Sequence, residues 1–213
     1  MEHRMDDNSY YLEYLKRTSK FPQSVYHKAK HEMVRRLIFS IPPGSRVLDA
    51  GCGVGHITGP YCDRYAVFGM DEQLSAVSHC REQWHGSYVH GSLYSIPFEN
   101  NYFDLVFFLD TIEHLTHPAD ALREFARVMK PGSKILICTM NYASPLWFIL
   151  EHTWHRFAGG TCKPYSKDVH PTPYTEKLLL EHCAGLFEEI GIEKRIMRME
   201  LFLTGKKPAG CTA

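Results

Sequence analysis

The stretch Arg46-Val-Leu-Asp-Ala-Gly-Cys-Gly-Val-Gly55 decides the fold. It runs an apolar strand straight into three alternating glycines. A buried strand, a glycine-rich turn and a helix are how α/β proteins bring backbone against a nucleotide-like ligand. Glycine is needed because a Cβ would block the ligand or forbid the turn's backbone angles. The spacing narrows the ligand further. A dinucleotide fingerprint, G-x-G-x-x-G, would require glycine at 56, and His56 stands there, which weighs against a nicotinamide-dependent dehydrogenase on the same scaffold.

Upstream, residues 9–20 and 24–39 read as helices of a lead-in spanning 1–43. Val25, Ala29, Met33 and Leu37 recur every fourth residue behind a Ser24 N-cap, and Pro42-Pro43-Gly44 closes the segment. Tyr10, Tyr11 and Tyr14 either close over a bound ligand or pack the helix. Downstream, a helix is expected after the glycine loop. Strands at 46–50, 66–70, 88–90, 103–109 and 134–139 then alternate with helices around 73–84 and 118–130. Leu122, Phe125, Ala126 and Met129 fall on one helical face. This alternation predicts an α/β, Rossmann-like, mostly parallel sheet with helices on both faces.

A helix is expected at 175–190, with Leu179, Cys183, Leu186 and Ile190 on one stripe. The last β region, 192–206, has no Gly or Asn-Gly turn between Ile192 and Gly205. Either a hairpin turns near Arg198-Met199, giving seven strands, or one strand is very short, giving six. No internal repeat or low-complexity linker divides the chain, so 1–213 reads as a single domain with a helical and aromatic insert at 141–174.

The totals exclude several classes. The chain has 213 residues, 44% hydrophobic and 23% charged, values of a soluble globular protein. Twenty-four basic and 24 acidic residues give zero formal charge, so nothing steers it to bulk nucleic acid or an anionic membrane. Seven scattered cysteines without a C-x-x-C pair predict reduced thiols in a cytoplasmic protein. Residues 1–7 carry no apolar signal segment, and Leu146 to Leu150 is too short to span a bilayer.

Asp49-x-Gly51-x-Gly53-x-Gly55 resembles motif I of the class I S-adenosylmethionine (SAM) dependent methyltransferases. Asp71 closes the second strand about twenty residues after the first motif glycine, the register of a ribose-binding carboxylate. Gly91-Ser-Leu-Tyr-Ser-Ile-Pro-Phe98 followed by Tyr102-Phe-Asp-Leu-Val106 is similar to that family's G-D-A-x-x-L-P-F … F-D-x-V segment, with Ser92 replacing the aspartate. Leu109-Asp-Thr-Ile-Glu-His-Leu115 and Arg127-Val-Met-Lys-Pro-Gly132 match its tail, so the likeness runs over roughly residues 44–141. Glu113-His114 after strand four and Asn141 after strand five resemble the ubiquinone-biosynthesis O-methyltransferase-like (type 11) branch.

The resemblance implies SAM as cofactor and S-adenosylhomocysteine as product. Asp49 and the Gly51, Gly53 and Gly55 backbone would hold the amino-acid end, Asp71 the ribose, and Ser92 and the Leu93 backbone the adenine. Asp110 would face the crevice from the end of strand four. Methyl transfer is an in-line displacement to which the protein contributes orientation and a base where the acceptor must lose a proton. His114 is the candidate base; its other reading is a residue that caps or packs the turn. His152 and His155, with Glu151, Asp168 or His170, form a loose metal-like spacing that solvated histidines explain as well, and no metal is assigned. The aromatic insert suggests a lid over a hydrophobic or aromatic acceptor. With neither an N-P-P-Y motif nor a basic stripe, the acceptor is expected to be a small molecule, methylated at oxygen. The rival reading is a catalytically inactive SAM-binding partner or regulator.

Overall fold

The computed structural model describes residues 23–152 and 170–210. Seven strands form one sheet in the order β3-β2-β1-β4-β5-β7-β6. They are β1 (Arg46–Ala50), β2 (Ala66–Asp71), β3 (Ser87–His90), β4 (Phe103–Leu109), β5 (Met129–Met140), β6 (Glu188–Arg195) and β7 (Glu200–Lys206). The first five pair in parallel, and β7 runs antiparallel to both β5 and β6. The helices are α1 (Gln23–Ile38), α2 (Leu74–Gln83), α3 (Pro118–Val128), α4 (Pro145–His152) and α5 (Glu176–Cys183).

Alternation along the central strands divides the core into two layers, because successive side chains point to opposite faces. Leu48, Val106, Phe108, Ile135 and Ile137 face Leu122 and Phe125 of α3 and Leu179 of α5. Val47, Leu105, Phe107 and Leu136 face Met33, Val34 and Leu37 of α1. Such burial on both faces is why the strands read as continuous apolar runs. At β1 and β4 the order reverses direction, and the chain leaving β1 departs from the chain leaving β4. That divergence opens the crevice in which open α/β sheets bind ligands.

Several local expectations are corrected. The helix after the glycine loop is a single 3-10 turn, Gly59–Tyr61. Pro60 lacks an N–H and fits only a first turn, which leaves five residues between it and β2 at Ala66. Ser24 lies inside the first turn of α1 rather than capping it. The buried face of α1 is Lys30, Met33, Val34, Leu37 and Ile38, whereas Val25 is exposed. A repeat of four residues drifts by about 40° per step around a 3.6-residue helix, so the stripe from Val25 to Leu37 does not keep to one face. The segment 175–190 is split. The helix stops at Cys183, Gly185 takes a left-handed φ of 76°, and the chain enters β6 at Glu188. The N-terminal helix at 9–20 and Tyr10, Tyr11 and Tyr14 lie outside the described residues. So do His155, Asp168 and the rest of 153–169, half of the expected lid. Among the described residues no helix is long and apolar enough to cross a membrane.

The strand count is resolved in favour of seven. The β6–β7 hairpin does turn near Arg198-Met199, through Ile196, Met197 and Arg198 at φ values of 52°, 54° and 69°. Three consecutive non-glycine residues in the left-handed region are strained. Asn141 supports them: its Nδ2 donates to the Arg198 carbonyl at 2.8 Å and its backbone N–H to the Met199 carbonyl at 2.7 Å. Asn141 is therefore a brace for the hairpin. Met197→Gly, at a side chain 75% exposed, should stabilise the protein by up to about 1 kcal/mol, or roughly 2–4 °C in Tm, whereas Asn141→Ala should cost about 1–3 kcal/mol. Thermal melts of the two variants check both signs.

Candidate active site

At the carboxyl ends of β1 and β4 lies a cavity of about 140 Å³. Asp49, Gly51, Cys52, Gly53, Asp110 and Thr111 form its floor, and His27 and Lys30 of α1 close it from above. Of the residues singled out in the sequence, Asp49, Gly51, Gly53 and Asp110 line this cavity. Gly55, Asp71, Ser92, Leu93 and His114 stand around it rather than on its wall.

The glycine turn has the geometry the spacing required. Gly51, Gly53 and Gly55 all have positive φ, at 75°, 50° and 70°. A Cβ on Gly51 would lie 2.4 Å from Thr111 Oγ1, and one on Gly55 3.0 Å from Trp84. The Trp84 indole donates to the Val54 carbonyl at 3.0 Å, so α2's end braces the turn from outside. Asp71 braces it from within. Its two carboxylate oxygens accept the Gly53 N–H at 2.8 Å and the Gln73 N–H at 2.9 Å. Each oxygen keeps a second lone pair for a ligand hydroxyl. Gly91 N–H donates to the Asp71 carbonyl at 3.1 Å, which fastens the Ser92–Leu93 loop beside β2. Ser92 Oγ accepts from its own loop, from the Tyr94 N–H at 3.4 Å, and the Leu93 side chain is buried in the core. Any role for Leu93 toward a ligand therefore falls to its backbone.

Asp49 is buried and accepts the Thr58 hydroxyl at 2.5 Å. Burial pushes its pKa up to about 6, against the Thr58 hydrogen bond, with Asp71 adding to the rise. Lys30 is the residue the sequence reading missed. Its ammonium is ion-paired with Asp110 and lies 3.8 Å from Glu200. Burial alone would lower its pKa, but the two carboxylates outweigh it and hold the charge. The signal was a lysine one position off the α1 stripe, on the face that turns inward. His27, His31 and His56 gather at the same mouth, with ring centroids 5.5 and 6.1 Å apart. Burial drives His27 down to about 3 and His56 to about 4, so both rings are neutral at pH 7.

One helical turn beyond Asp110, the short 3-10 segment Ile112–His114 presents two residues in opposite settings. Glu113 is fully buried, with Oε2 accepting the Thr139 hydroxyl at 2.9 Å, while His114 is exposed. Burial, then the Asp110 charge, push Glu113 up to about 8. His114 packs against His170, with ring centroids 4.6 Å apart, and His170 Nδ1 meets the Tyr142 hydroxyl. Burial and then His114 lower His170 to about 4. His155 and the side chain of His152 lie outside what the structure describes; His170 stands in this arrangement.

Residues 48–137 match the family described as "Methyltransferase domain". That stretch, 90 of the 213 residues, resembles a methyltransferase domain. It is similar to the sterol 24-C-methyltransferase of Schizosaccharomyces pombe, at 33% identity over 123 residues, covering 53% of this chain and 31% of that one. It is also similar to the ubiquinone/menaquinone biosynthesis C-methyltransferase of Ectopseudomonas mendocina, at 30% identity over 116 residues and 49% and 44% coverage. The chain thus spans less than half the length of these relatives. A SAM-dependent methyltransferase from Archaeoglobus fulgidus shares the fold, with a TM-score of 0.69, 20% identity, and 91% and 99% coverage. SAM is the cofactor this family implies, and the domain's turn, carboxylates and crevice fit it: an ammonium beside Asp49 would relieve a carboxylate that burial otherwise disfavours.

Two outcomes follow. Gly51→Ala should abolish SAM binding in calorimetry, because the new Cβ meets Thr111 at a positive φ. In wild type, SAM affinity should rise as pH rises through about 6, since the ionised Asp49 holds the ligand's ammonium and binding displaces its proton. Asp49→Asn should remove that rise.

Proposed function

We propose that the protein transfers a methyl group from SAM to a hydroxyl oxygen of a small hydrophobic or aromatic acceptor. The observation that carries this reading is the Glu113, His114 and His170 group at the end of β4. Its Glu113 and His114 lie on the short 3-10 helix that begins two residues after Asp110, a residue lining the cavity. A sulfonium methyl is already activated, so the protein must orient the acceptor and dispose of its proton. Glycine-turn contacts would hold the methionine end, with Asp71 on the ribose and Leu93 beside the adenine. Lys30 and Asp110 would border the reacting sulfur. His114, exposed and packed on His170, would take the acceptor's proton.

The apolar character of the acceptor is supported by α4, where Trp147 is buried against Tyr142 while Phe148 and Ile149 are exposed. We read 141–174 as an acceptor-binding insert of one domain over 1–213. Five free thiols among the described residues support a reducing, cytoplasmic setting. A carbon acceptor is the second reading, favoured by the two C-methyltransferase relatives. A phenolate formed by the same proton loss is nucleophilic at its ring carbons as well as at oxygen.

Incubation with isotopically labelled SAM and a panel of phenols, catechols and quinol precursors tests the proposal. An O-methyl product supports it, and a ring-methyl product transfers the assignment to carbon. SAM binding with no product from any acceptor would favour a non-catalytic partner. His114→Ala should lower kcat by about 10²–10⁴-fold with SAM affinity unchanged.

A further inference from the structure

We propose that Glu113, His114 and His170 bind one divalent transition-metal cation, on which the acceptor's hydroxyl oxygen docks. One ligand atom from each residue lies within 4.8 Å of the other two. A cation held at about 2.0–2.2 Å from three such donors would draw them to roughly 3–3.5 Å apart. Glu113 is fully buried, and its Oε1 has no hydrogen-bond partner among the described residues. A buried carboxylate oxygen left without a donor is costly, and a bound cation removes that cost.

A second acidic group sharpens the inference. Asp110, Cys138 and Glu200 also bring three ligand atoms together, but the Lys30 ammonium already stands among them as their cation. No lysine or arginine among the described residues pairs with Glu113 in that way. Two imidazoles and one carboxylate suit a borderline divalent ion such as Zn²⁺, Mn²⁺ or Fe²⁺ better than Mg²⁺, which prefers oxygen ligands. The Tyr142 hydroxyl on His170 Nδ1 orients the ring. Three protein ligands leave coordination positions open.

The assignment of the docked group rests on the methyltransferase reading; the ion site itself does not. The acceptor's O–H replaces a bound water and its proton leaves to solvent. The oxygen then bonds the methyl carbon as the carbon–sulfur bond breaks, and that electron pair stays on sulfur as neutral S-adenosylhomocysteine. His114 then acts through the ion rather than as a free base. An acceptor with two neighbouring oxygens, such as a catechol, would chelate the ion and outcompete one with a lone hydroxyl.

The full chain, stripped with a chelator, is titrated with Mn²⁺ by electron paramagnetic resonance and with Zn²⁺ by calorimetry. One saturable site per chain is expected, weakened at least tenfold in His114→Ala and Glu113→Gln, with SAM affinity unchanged in both. If the buried Glu113→Gln variant fails to fold, the exposed His114→Ala carries the comparison. No saturable binding of either ion, or equal binding in wild type and His114→Ala, overturns the site. Ion binding without methyl transfer upholds the site and removes the functional reading. Methyl transfer by stripped protein that binds no ion does the reverse.

Discussion

A buried ammonium organises this domain. Lys30 reaches from α1 into the end of the sheet, where taking a charge out of water costs several kcal/mol unless it is well paired. Its partners come from two different strands: Asp110 follows β4, and Glu200 begins β7. The pairing therefore fixes three elements at once, the helix over the crevice, the strand at the switch point and the antiparallel strand beside it. Asp110 adopts a left-handed φ of 50° there, and its N–H donates to the Cys138 carbonyl at 2.9 Å. Strain at a single residue beside a ligand cavity is tolerable where the surrounding contacts over-determine it.

The glycine turn answers a different constraint. The chain must leave β1 sharply enough to expose backbone to a ligand, yet hold that backbone still. Positive φ at three glycines provides the sharpness, and Asp71 and Trp84 provide the hold, one from β2 and one from the end of α2. Asp71 thus shapes the pocket before any ligand arrives. Its loss would loosen the turn whether or not it also accepts a ligand hydroxyl, so a single affinity measurement on such a variant would mix the two effects.

Beyond the cofactor cavity, burial divides the chemistry. Asp49, Glu113 and Glu200 sit in surroundings that disfavour their ionised forms. Carboxylates held that way respond strongly to any cation placed next to them. The ammonium of Lys30 meets this need at Glu200. On the proposed function the cofactor's ammonium would meet it at Asp49, and the proposed cation would meet it at Glu113.

The sequence by itself determined the parallel strands, the glycine turn and Asp71, because these rest on local rules. A strand covered on both faces must be an unbroken apolar run, as in Phe103–Leu109, and a left-handed turn demands glycine. It misread segments in which local signals permit two outcomes: Leu186 and Ile190 suit a helical stripe as well as β6, and only Gly185 marks the break. Likewise the hairpin at Ile196–Arg198 has no turn chemistry of its own, since Asn141 on a neighbouring strand supplies it. Tertiary structure alone decided that Lys30 enters the cavity, that Glu113 is buried while His114 is not, and that His170 returns from 56 residues downstream to meet them. Such meetings depend on how helices rotate and loops return over the sheet, and no spacing along the chain encodes them.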